Sequence, residues 1–245
     1  MKELPIPMSA PMIRAILRPV SPKVVTRRIV RNQPPEDCGA ITCGEYHPTV
    51  IDRHGEEAPG KARFGAYSRD GTWTSPSPYG APGTQLWVRE AWRTGKSLDS
   101  LSGTMIGEKA VDADYKAPWA PLQYEADLYR RDWTAGFADG KTEPGRLRLA
   151  RFMPRWASRT RLHVTGVRVE RLQDISREDA IAEGLVRYDG AETWWGTGLE
   201  GEGINGCRFV SPIEAYRHLW EQINGPGSWD ENPWVWVIGF RRIVE

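Results

Sequence analysis

The sequence predicts a mainly β protein with peripheral helices, in the α+β class, and three observations carry that prediction. Apolar residues alternate with period two in 84–92, 160–171 and 233–243. Turn-forming residues crowd 31–83, with Pro34-Pro35, Asp70-Gly71 and the run from Pro76 to Pro82. Helical signatures are confined to three short segments.

Taken in order, 9–17 is the first helix, with Ser9 as cap and Met12, Ile13, Ile16 and Leu17 on one face. Ser21-Pro22 then predicts a tight turn or single 3₁₀ turn, because Pro presets φ for a first helical position behind a Ser cap. The turn runs into a strand at Thr26–Val30. Segment 31–83 reads as hairpins and loops, and 84–92 as an alternating strand. Segment 95–150 is polar and dotted with aromatics, with one strand near Gln123 to Ala126. Strands follow in 160–171, where Leu162, Val164 and Gly166 give way to Val167 and Val169. Ser176 caps a helix at 177–183 that Gly184 ends. Segment 187–209 is Gly-rich and reads as an exposed loop. Ser211-Pro-Ile-Glu214 is a capping box that opens a helix to about Asn224. Its stripe is Ile213, Tyr216, Leu219, Trp220 and Ile223. The last strand, Pro233 to Ile243, sets Trp234, Trp236, Ile238 and Phe240 against Val235 and Val237. No internal repeat is visible.

At 245 residues and 40% hydrophobic, the chain has core enough for one domain. We expect it to span 1–245, with insertions at about 31–83, 95–150 and 187–209. No run approaches the eighteen or more apolar residues of a membrane span, and the N-terminus has no signal-peptide apolar region. A cytoplasmic location away from membranes is the expectation. A net charge of +1 argues against duplex binding by bulk charge. Nucleic-acid contact would fall to local patches: Arg27-Arg28 with Arg31, or Arg146 to Arg161.

Three cysteines make no disulfide framework. Cys38, Cys43, His47 and His54 lie close together, but their spacing matches no standard zinc knuckle. A polar loop with incidental cysteines is the simpler reading, and no metal or cofactor is expected. Twelve tryptophans are many for this length. Most suit core or barrel wall, while Trp156 and the Trp194-Trp195 pair lie outside the core stripes and are candidates for base stacking.

Two strings carry the chemistry: Lys23-Val-Val-Thr26-Arg27-Arg28 and Leu86-Trp-Val-Arg-Glu90-Ala-Trp92. They supply an amine, a hydroxyl and a carboxylate, enough to hydrolyse an amide without a metal. Glu90 alternates in line with Leu86, Val88 and Trp92, so if buried it needs a cation. Lys23 is the partner expected, and an ion pair with Arg89 or Arg93 is the alternative. Likewise, the Lys23 segment reads either as a site turn or as a basic surface loop.

The pattern resembles a known family. Ser9-Ala-Pro-Met-Ile-Arg-Ala-Ile-Leu17, Lys-x-x-Thr-Arg-Arg, and Gly-x-x-Gly-x-x-Leu-Trp-Val-Arg-Glu at Gly80 to Glu90 are similar to the ASCH family of PUA-like β-barrels. They look most like the long versions found in bacteriophages and prophages. Met153-Pro-Arg-Trp-Ala-Ser-Arg159, Leu172-Gln-Asp-Ile-Ser176, Ala180-Ile-Ala-Glu-Gly184 and Trp234-Val-Trp-Val237 extend the match. The resemblance implies a PUA-like barrel with long loop insertions. It also implies an N4-acetylcytidine amidohydrolase site, with Lys23, Thr26 and Glu90 as catalytic residues. Two departures stand out: the approach to Lys23 is Arg18-Pro-Val-Ser-Pro22 where small members have a Gly, and the chain is much longer than a minimal barrel.

Arg27, Arg28, Trp87, Arg89, Trp92, Arg155 and Trp156 are the candidates for holding the substrate, a modified cytidine, with single-stranded RNA as a further partner. Two mechanisms remain open. Neutral Lys23 takes the Thr26 proton, which requires lowering its pKa to near neutrality at a cost of about 4 kcal/mol. Alternatively, Lys23 stays cationic against Glu90 and stabilises the oxyanion while Glu90 activates water. Other function classes also stay open: a non-catalytic module reading RNA or a modified base, or an accessory protein acting by protein contact.

Overall fold

Strand Trp234–Ile243 is buried on both faces, and that organises the first of two units. Val235 and Val237 point one way, Trp236, Ile238 and Phe240 the other, and all five are removed from water. The computed structural model describes residues 3–127, 143–187, 194–195 and 209–244. The chain divides into a unit of Met1–Leu4, Pro19–Gln85 and His163–Arg241, and a second of Pro5–Arg18, Leu86–Leu162 and Arg242–Glu245.

In the first unit, Trp234–Ile243 lies between Arg161–Arg171 and Val25–Ile29. It pairs antiparallel with Val25–Ile29, with Val237 opposite Arg27, Ile238 opposite Thr26 and Gly239 opposite Val25. That register puts Val25, Arg27 and Ile29 on the face of Val235 and Val237. Helices Arg177–Ala182 and Pro212–Asn224 pack on one another, and their Ala180, Ala215, Tyr216 and Trp220 share a core with Leu172, Trp229, Val235 and Val237. Two of the caps read from sequence form, Ser176 accepting from the Asp179 amide at 3.1 Å and Ser211 from Ile213 at 3.2 Å, whereas the Ser9 side chain makes no cap hydrogen bond. Segment 31–83 folds as hairpins, in a sheet of Ile41–Tyr46, Arg63–Ser68 and Thr74–Pro76 and a pair of Thr49–Ile51 with Glu57–Pro59.

The second unit holds helix Ala10–Leu17, most of strand Gln85–Arg89, and a core built on Trp92 with Ile106, Ala120, Met153 and Ala157. Here the structure corrects the expectations. The strand expected over 84–92 ends at Arg89, and Trp92–Arg93 forms its own short pair with Gln123–Tyr124. Helix Gly103–Asp112 lies in a segment read as irregular. Its two glycines hide it from propensity, yet Gly107 is required: a Cβ there would come within 2.7 Å of Trp156 Nε1.

The protein is mixed α+β with strands predominating, and among the described residues no sheet closes on itself. No helix among them is long and apolar enough to cross a membrane. The loop expected at 187–209 lies mostly outside the described residues. Within it, Trp194–Trp195 pairs with Val186–Arg187.

Candidate functional site: two buried ion clusters

Lys23 and Glu90, expected to meet, each bond to another residue. Lys23 is 2% exposed, and its ammonium donates to the Glu183 carboxylate and, at 2.8 Å, to the Glu183 carbonyl. The expected turn at Ser21-Pro22 does not form. Ser21 takes a left-handed φ of 48° in a bend, and the chain then runs extended, with the Val24 amide on Ala182 O and the Phe240 amide on Val24 O. Lys23 and Arg27 reach one carboxylate, so they occupy one side of the strand.

Glu183 is placed by the end of helix Arg177–Ala182. It is the C-cap residue, and Gly184, at φ 95°, turns the chain away. A carboxylate there sits against the negative end of the helix, so it calls for a cation. Lys23 supplies one to both side chain and backbone. Asp179, one turn earlier, shares the face. Arg27 donates to Asp179 at 2.7 Å, to Glu170 at 2.6 Å and to Glu183 at 3.4 Å. Arg168 bonds Glu170 and Asp179 from the outside. Lys23, Arg27 and Arg168 thus balance Glu170, Asp179 and Glu183. The Tyr216 hydroxyl donates to Glu183 Oε1 at 3.3 Å.

Burial lowers the Lys23 pKa below the ordinary lysine range; Glu183 opposes this, and Arg28 and Arg27 add to it. Burial also holds the Tyr216 phenol well above its usual range, so it is a donor at neutral pH. Thr26 is fully buried, and its hydroxyl has no hydrogen-bond partner among the described residues. Strand alternation turns it, with half-buried Arg28, to the face opposite Arg27.

The second cluster lies in the other unit. Glu90, 1% exposed, receives a two-pronged contact from Arg159 at 2.9 and 3.0 Å. The same guanidinium grips Asp127 at 2.7 and 3.0 Å and lies 3.9 Å from the Tyr124 ring centroid. Burial raises the Glu90 pKa, and Arg159 works against the rise. Neither Lys23 nor Arg89 nor Arg93 is its partner.

The other expected contact residues divide in two. Arg27 is locked in the first cluster. Trp87 is buried beneath the Arg89 guanidinium, 4.5 Å from its ring centroid, and Trp92 is fully buried. Trp156, read as a stacking candidate, packs edge-on against Trp92 and donates to Gly103 O at 3.1 Å. Arg89 is partly exposed and Arg155 exposed. The side chains of Trp194 and Trp195 lie outside the described residues. Cys43, His47 and His54 have separate partners, and no metal-binding group of His, Cys, Asp and Glu occurs among the described residues.

Sequence reasoning missed Glu183 and Arg159, although both stand in motifs quoted above. A helix-terminal Glu directly before a terminating Gly was the available signal for the first. Comparison with family profiles, with curated proteins and with solved structures finds no match.

Proposed function

We propose that the protein is an amidohydrolase that removes the acyl group from N4-acylated cytosine nucleosides such as N4-acetylcytidine, with Glu183 rather than Glu90 as the carboxylate. The observation that carries this reading is the buried Lys23–Glu183 pair. It joins the amine and the acid of the kit, and the ASCH-like motifs supply the substrate class. A PUA-like barrel belongs to the same reading.

The opposite facing of Lys23 and Thr26 favours the mechanism without a Lys–Thr proton transfer. Glu183 Oε1, held among the described residues by the long contacts from Tyr216 and Arg27, takes a proton from water, and the hydroxide attacks the acyl carbonyl. Lys23 as ammonium has a third N–H beyond the two spent on Glu183, and it stabilises the oxyanion in a site shielded from bulk water. Collapse returns the proton to N4, releasing cytidine and the carboxylic acid. Thr26, on the other face of the strand, takes no part in these steps.

The test is conversion of N4-acetylcytidine to cytidine followed by ultraviolet absorbance. Glu183→Gln should lose about 10²–10⁴-fold in turnover, while Glu90→Gln, correctly folded, keeps it. Wild-type protein that leaves the nucleoside intact overturns the proposal. One observation favours a second reading, a non-catalytic module: the charges of the first cluster already satisfy one another.

A further inference from the structure

The second unit carries a cleft of about 660 Å³ that neither ion cluster uses. Its lining includes Arg89, Arg146, Arg148 and Arg151 and, among the described residues, contains no Asp or Glu. The Arg89, Arg146 and Arg151 guanidinium groups have no acidic partner among the described residues; the Arg146 amide donates to the Asp99 carboxylate at 3.0 Å, and Arg89 donates to Arg151 O at 3.5 Å. Arg148 is 6% exposed; its terminal nitrogens bond the Leu101 and Leu98 carbonyls at 2.9 Å, and Asp99 stands 3.8 Å away. The Nε atoms of Arg148 and Arg89 are removed from water and have no hydrogen-bond partner among the described residues. Burial, and after it the Arg146 charge, lower the Arg148 pKa, as expected where positive charge is under-compensated.

Apolar groups share this wall. Leu149 is 49% and Phe152 58% exposed, and the Arg151 guanidinium lies 4.8 Å from the Phe152 ring centroid. Planar guanidinium forks, with no lysine among them, suit phosphate oxygens, and an open aromatic face suits a base. The hollow is concave, whereas a lipid surface would need a convex apolar face.

We propose that this arginine-lined cleft binds single-stranded nucleic acid, its phosphodiesters on Arg89, Arg146 and Arg151 and a base on Phe152. The proposal stands apart from the Lys23–Glu183 chemistry and holds whether or not that site is catalytic. It assigns the chain a polymeric ligand beyond a free nucleoside.

Fluorescence anisotropy of a short labelled oligouridylate with the full chain tests it, with a labelled oligodeoxythymidylate, polyglutamate and anionic phosphatidylglycerol vesicles as competing probes. Binding to either oligonucleotide should weaken steeply with salt. The double variant Arg146→Glu, Arg151→Glu, both at exposed positions, should lose at least about tenfold in affinity and flatten the salt slope. Phe152→Ala should lose about fivefold or more and leave the slope unchanged. Both variants should match wild type in circular dichroism and in their action, or lack of it, on free N4-acetylcytidine. Unchanged oligonucleotide affinity in the double variant, or equal or tighter binding of polyglutamate or vesicles, overturns the proposal.

Discussion

The two buried clusters solve one problem in different ways. Around Glu90, a single arginine clamps two carboxylates with four short contacts. A guanidinium stays charged at every accessible pH, so the cation of this cluster has no proton to exchange. Around Glu183 the key cation is an ammonium whose pKa burial has lowered, one carboxylate oxygen is loosely held, and a phenol leans on it. Burial alone therefore does not single out the carboxylate that the proposed chemistry uses. What distinguishes the two is a loosely held carboxylate oxygen beside a cation with an N–H to spare.

Removing the cation from each cluster should do the most damage. Lys23→Ala and Arg159→Ala each leave a carboxylate buried without its main partner, so each should lose about 3–5 kcal/mol in urea denaturation. Only Lys23→Ala should also abolish hydrolysis per folded molecule. Loss of turnover in folded Arg159→Ala would return Glu90 to the centre of the chemistry.

A second, smaller effect is in pH. The folded-state pKa of Lys23 lies below its ordinary 10.5, so between the two values the unfolded chain holds the extra proton. Stability should rise with pH across that window, and below it the cost of the buried charge is constant. Glu90 runs the other way. Its pKa is raised above 4.5, the folded chain holds the extra proton between the two values, and stability falls as pH rises through them. With cationic Lys23 as oxyanion donor, turnover should decline as pH climbs through the lowered Lys23 value. Lys23→Arg should keep a measurable fraction of activity and lose that decline. Complete inactivity of Lys23→Arg would favour a neutral-amine base instead.

The smallest expected change is at the cap. Ser176→Ala removes the acceptor for the Asp179 amide, costing about 1 kcal/mol. Because Asp179 and Glu183 ride on that helix, the Michaelis constant for N4-acetylcytidine should rise while the Glu90 cluster is untouched. A melt that shifts with kinetics unchanged would separate the helix from the site.

Much of the first unit was legible in the sequence. The Ser176 and Ser211 caps, the terminating Gly184 and the alternation from Trp234 to Phe240 are local signals, and each appears where its chemistry requires. The helix at Gly103–Asp112 was hidden because its glycines serve packing against Trp156 and Pro154 rather than helix propensity. Partner choice was harder still. Glu90 could be recognised as needing a cation, but nothing within a few residues of it says that Arg159 provides one. Lys23 and Glu183 are 160 residues apart, beyond the reach of any spacing rule.

That separation has a kinetic consequence. The ammonium of Lys23 is bonded to a residue synthesised far later, so during translation it stays hydrated until the helix at 177–182 has emerged and docked. Closing so large a loop is slow and entropically costly. The Lys23–Glu183 pair therefore cannot form until Glu183 has been synthesised, and a nascent chain holds that amine in water until then.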